Sequence, residues 1–101
     1  DFPIEDINPI HTFYAAVFRK DQRQSPPSGF QTSNALSRED ALRGMTIWAA
    51  ISNFEEEHKG SLEVGKNADF VLLNQDIMKV EESKILTTKV EKTFINGEQV
   101  Y

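Results

Sequence analysis

"GSLEVGKNADFVLLN", Gly60 to Asn74, sets two glycines, a lysine and an Ala-Asp pair directly ahead of an apolar run. Gly60 has no Cβ and accepts the left-handed backbone that closes a helix. Ala68 permits close approach, and Asp69 offers its carboxylate to turn amides. Phe70 to Leu73 is unbroken and apolar, the pattern of a strand covered on both faces. The stretch therefore reads as turn chemistry between two short strands, Leu62 to Val64 and Phe70 to Leu73. A Gly-Lys phosphate loop is the poorer reading, because it needs more glycines and a following helix, and here a strand follows.

Upstream, the periodicity changes from two to about 3.6. Pro3 and Pro9 break the chain, and Asn8-Pro9 supplies an N-cap with proline in the first turn. In "PIHTFYAAVFRK", Ile10, Phe13, Tyr14, Val17 and Phe18 fall on one helical face, with His11 off that stripe. Asp21 to Ala35 is polar, contains Pro26-Pro27 and Gly29, and makes a long loop. Ser37 to Asp40, "SRED", outlines a capping box. The helix it opens should show Ala41, Leu42, Met45, Trp48, Ala49 and Ser52 on one face and stop at Gly60. Downstream, Ile85 to Val90 is a candidate strand, and "KTFINGEQVY" is a hairpin around an Asn96-Gly97 type I′ turn.

Composition narrows the function classes. The chain has 101 residues, 39% of them hydrophobic and 27% charged, enough for one domain with a modest core. A net charge of -5, with basic residues scattered beside acidic ones, argues against a nucleic-acid surface. No apolar run approaches the roughly 20 residues of a bilayer span. Without cysteine there is no disulfide, thiolate metal site or cysteine nucleophile, which suits a reducing, cytoplasmic setting. The first residue is Asp and "DFPIEDINPI" has no signal-peptide character, so the expectation is a processed chain or a fragment.

In order and spacing, the pieces resemble one family. "DFP" looks like the remnant of a Gly-Ser-Asp-x-Pro motif, "NPIHTFYAAVFR" like the helix after it, and "LSREDALRGMTIWAA" like a helix with a Thr-x-x-Ala-Ala pattern. With "GSLEVGKNADFVLLN" and the closing hairpin, the whole chain resembles the C-terminal segment of metal-dependent amidohydrolases of the YtcJ-like branch. The resemblance implies an α+β fragment: the last helices of a (β/α)8 TIM barrel plus C-terminal strands of a composite β-sandwich. Residues 1–59 would be the end of the barrel, and residues 60–101 the sandwich strands. The N-terminal remainder of the same enzyme would be its partner.

The implied activity is hydrolysis of non-peptide carbon–nitrogen bonds in a small molecule by metal-activated water, with zinc as the cation. Asp1 matches the Asp that ends the last barrel strand, where active sites of this fold lie. The resemblance thus makes Asp1 both a metal contact and the carboxylate that shuttles the proton. A catalytic zinc needs about three protein ligands, and this chain offers only His11 and His58 as imidazoles. His11 reads as a helix-surface residue, and His58 as a favourable charge near a helix C-terminus. The chain alone should therefore bind no metal and be inactive. Arg19 reads as a surface ion-pair residue at a position often Arg in the family, and Trp48 and the phenylalanines as core. The contrasting reading is a non-catalytic α+β binding or assembly module. Half a sandwich with unpaired strand edges, and barrel helices without their barrel, should make the isolated chain self-associate by strand exchange or leave its N-terminal half partly disordered.

Overall fold

The computed structural model describes residues 3–101. Asn8 caps α1 (Pro9–Phe18) by accepting the Ile10 amide on Oδ1 at 3.0 Å, and Pro9 occupies the first turn. Arg19 ends the helix with φ 55°, its amide returning to the Ala15 carbonyl. The apolar stripe faces inward as expected: Ile10, Phe13 and Tyr14 are buried, and Val17 and Phe18 pack against them.

The Ser37 capping box also forms. Ser37 Oγ accepts the Asp40 amide at 3.0 Å and donates to the Asp40 carboxylate at 2.8 Å. The long helix expected from it does not. It divides at Thr46 (φ −125°, ψ −95°) into α2 (Arg38–Met45) and α3 (Ile47–Ser52). The Thr46 amide turns to the Arg43 carbonyl, and its hydroxyl takes the Leu42 carbonyl at 2.7 Å, so the helical ladder is interrupted. The break resets the helical phase: Ala41 and Ala50 are buried, whereas Leu42, Trp48, Ala49 and Ser52 are exposed. Gly60 (φ +93°) is consequently no helix cap. It lies against α3, where an added Cβ would sit 2.7 Å from the Ala50 Cβ.

Beyond Gly60, Leu62 to Val64 forms no strand, and both apolar side chains are exposed. Alternation alone cannot make a strand when no neighbouring strand takes up its backbone groups. The sheet is antiparallel, in the order β1 (Phe70–Leu73), β2 (Val90–Ile95), β3 (Glu98–Gln99). Phe70 opposes Phe94, and their rings stack at 4.5 Å. A bulge after Leu72 lets Leu73 oppose Val90 and pack against the core. The strand is not covered on both faces, since Val71 and Leu72 are exposed. Asn96 (φ 51°) and Gly97 (φ 81°) make the hairpin turn, both with the positive φ a type I′ turn demands.

The Ile85–Val90 segment is likewise not one strand. Glu82–Ile85 forms a single helical turn, α4, and only Val90 belongs to β2. Ile85 is 0% exposed because it points into the cluster of Ile10, Phe13, Tyr14, Ala41 and Ile77. Burial there, worth about 1.5–3 kcal/mol for a large aliphatic side chain, outweighs isoleucine's strand preference, on a scale that spans only about 1 kcal/mol. The result is an α+β structure whose core joins α1 and α2 to the segment between β1 and β2.

Candidate functional site

Asp1, the one residue read as catalytic and metal-contacting, lies outside the described residues. What the structure describes is the segment leading from it into α1. Asp6 accepts the Asn8 amide at 3.2 Å, and its other carboxylate oxygen lies 3.8 Å from His11 Nδ1. That nitrogen is buried with no hydrogen-bond partner among the described residues, while Nε2 is 3.4 Å from Asn8 Nδ2. His11 is thus half-buried against its own N-cap rather than a plain surface residue.

An open cleft of about 650 Å³ runs along this side of α1, lined by Asp6, His11, Thr12, Arg19, Lys20 and Arg23 among others. Its cations are largely committed elsewhere. Arg19 donates from Nε to the Phe30 carbonyl at 3.0 Å, and its own carbonyl accepts the Phe30 amide. Its described partner is therefore a backbone carbonyl, in place of the ion pair expected. Lys20 meets Glu82 Oε1 at 2.6 Å.

Glu82 is the polar centre of the molecule. The same oxygen accepts the Tyr14 hydroxyl at 3.0 Å, joining residues 68 positions apart in the chain. Lys20, and secondarily the Tyr14 hydroxyl, hold the Glu82 carboxyl below its usual range despite partial desolvation. Burial, reinforced by the Glu82 bond and charge, pushes the Tyr14 phenol up to about 12. Nothing local in the sequence marks this triad, because Glu82 lies 68 and 62 positions from its two donors.

His58 is exposed in a turn after α3, and its carbonyl accepts the Asn67 amide at 2.8 Å. It is not at a helix C-terminus, since α3 stops at Ser52. Lys66, the lysine of the Gly60–Asn74 stretch, bonds to Glu63 at 2.9 Å and to Ser61 at 2.7 Å, so it is neutralised locally. Asp69 Oδ1 accepts the Asn96 amide at 2.8 Å, and the Ala68 carbonyl accepts Gly97 N–H at 2.9 Å. The Ala-Asp pair therefore grips the distant hairpin turn instead of its own.

Among the described residues no three His, Asp or Glu side chains converge where a cation could be held. These residues do not fit a metal centre on their own. Nor is any described helix long and apolar enough to cross a membrane.

The described residues form a small α+β fold with a three-stranded antiparallel sheet. The amidohydrolase family model matches residues 1–101, and the chain belongs to the amidohydrolase family. It is 38% identical over its full length to Protein LONG AFTER FAR-RED 3 of Arabidopsis thaliana, covering 17% of that protein. It is 29% identical over its full length to the putative amidohydrolase YtcJ of Bacillus subtilis, covering 19%. An N-substituted formamide deformylase of Arthrobacter pascens is 26% identical over 96% of the chain and 17% of its own length. The chain thus spans under a fifth of these curated relatives. No solved structure matched it.

Proposed function

We propose that this chain is the C-terminal portion of a metal-dependent amidohydrolase that hydrolyses non-peptide carbon–nitrogen bonds of small molecules. The observation that carries the reading is the family match across residues 1–101. The putative amidohydrolase and the formamide deformylase among its relatives support it. In this reading residues 1–59 end a TIM barrel, residues 60–101 belong to a small β-sandwich, and the remainder of the enzyme is the chain's partner.

The cation, zinc in this reading, would activate water, and most of its ligands would come from that remainder, because the described residues make no cation site. To this chain we assign Asp1, as a contact to the reacting centre and as proton carrier. Its carboxylate takes a proton from the attacking water and gives it to the leaving nitrogen as the C–N bond breaks and the water oxygen stays on carbon. The chain by itself has no such chemistry.

The test uses the whole protein, stripped of metal and reloaded, against N-substituted formamides, other amides, ureas and cyclic imides. Metal-dependent turnover is expected on at least one class. Asp1→Asn should lower kcat about 10²–10⁴-fold, the usual worth of a positioned acid–base group. No turnover on any class with metal bound would overturn the reading in favour of a non-catalytic assembly module.

A further inference from the structure

Residues 74–89 leave the sheet after β1 and return to it at β2, and their ends are pinned to each other. The Asn74 amide donates to the Lys89 carbonyl at 3.0 Å, and the Lys89 amide donates to Asn74 Oδ1 at 2.9 Å. Inside the loop, Gln75 Nε2 reaches the Lys84 carbonyl at 2.7 Å and the buried Thr88 hydroxyl at 2.6 Å. This is a closed Ω-loop, compact and internally bonded. Its outer side is built for contact with the helices. Ile77 and Ile85 enter the cluster of Ile10, Phe13, Tyr14 and Ala41. Glu82 receives Tyr14 from α1 and Lys20 from the chain just beyond it, and Arg38 of α2 donates to the Ile77 carbonyl at 2.9 Å. Among the described residues the sheet contributes Leu73 to this core, while Val71, Leu72 and Ile95 stay exposed.

We propose that the Ω-loop 74–89 is a docking tongue, latched by Glu82 onto Tyr14 and Lys20, so that α1 and the tongue open and close as one unit while the sheet opens separately. The tongue is covalently part of the sheet-bearing half but belongs energetically to the helical half. A small sheet with an exposed face has little burial of its own and opens at lower cost. The latch therefore sets how firmly the helix that follows Asp1 is held, without setting the hairpin.

Native-state hydrogen exchange on the whole protein, read at the amides of this chain, tests this with Glu82→Gln and Tyr14→Phe, which keep side-chain volume and avoid a cavity. Each should raise the exchange of amides in α1 and in 82–88 by one common factor of about 3–10, the usual worth of one such bond. Amides of β1 to β3 should exchange as before. The double variant should lose less than the product of the two single factors, because Glu82→Gln weakens the same bond that Tyr14→Phe removes. Unequal factors for α1 and the tongue, an equal loss in the sheet, or independent factors in the double variant would each overturn the proposal. Lys20→Met, which removes the second donor to Glu82, gives an independent arm with the same expected pattern.

Discussion

Ile85 and Phe54 sit in regions that treat apolar side chains in opposite ways. Around Ile85, three segments distant in sequence converge, and the side chain is fully enclosed. Around Phe54, the chain makes successive turns from Asn53 to Asn67, held by bonds such as Glu55 N to the Ala50 carbonyl. There Phe54 is 92% exposed, and Leu62 and Val64 are exposed as well. The turn region is tied by several backbone bonds, yet little in it removes apolar surface from water. Hydrogen bonding shapes that region, whereas burial stabilises the other.

The strongest way to break this contrast is Ile85→Ala. It should lower the unfolding free energy by about 2–5 kcal/mol, the usual cost of emptying a closed site, measured by urea titration. Less than about 1 kcal/mol would mean the cluster is looser than its packing implies. Next is Gly60→Ala, which combines a positive φ with a Cβ 2.7 Å from Ala50. It should cost about 1–3 kcal/mol and displace α3, visible as chemical-shift changes at Ile47 and Ala50.

Gly97→Ala also meets positive φ, but its Cβ would find Ala68 at an ordinary 3.8 Å. A smaller loss of about 1 kcal/mol is expected from backbone strain alone, again by urea titration. If it exceeds the Gly60 loss, the space at these two sites has been misjudged.

The Tyr14 phenol gives a pH arm. Its folded pKa lies above the ordinary 10, near 12, so its contribution is complete below pH 10 and is lost as pH rises from there through 12. Thermal unfolding should fall across that interval, and Tyr14→Phe should flatten the fall. For Glu82 the sign reverses: its lowered pKa favours the fold at neutral pH, and that share disappears on acidification below the ordinary carboxylate range. Smallest of all, Phe54→Ala should change stability by no more than about 0.5 kcal/mol. It should instead weaken the concentration-dependent self-association expected of the exposed apolar surface, read by sedimentation velocity.

The parts of this architecture legible in the sequence are those fixed by short-range chemistry. The Asn8 and Ser37 caps, the α1 stripe and the Asn96-Gly97 turn depend on residues a few positions apart, and all formed as read. The misreadings share a different origin. The Thr46 break depends on a hydroxyl capturing a carbonyl in place of the helical ladder. Leu62 and Val64 alternate correctly but lack a strand to pair with. Ile85 belongs to a helical turn because Ile10, Phe13 and Tyr14 await it from the far end of the chain. The Tyr14–Glu82–Lys20 triad was invisible for the same reason. Of the candidate site, Asp1 follows from family likeness alone and lies outside the described residues.

The hold of Ala68 and Asp69 on the hairpin has a corollary for how the sheet finds its alignment. Asn96 and Gly97 each give one N–H to this neighbouring dipeptide, which leads directly into β1. Sliding β1 along β2 by a single position would pull carboxylate and carbonyl away from both donors together and part the stacked phenylalanines. The pairing accordingly has one setting, fixed at its outer tip, like a zip that engages only when its first tooth is seated.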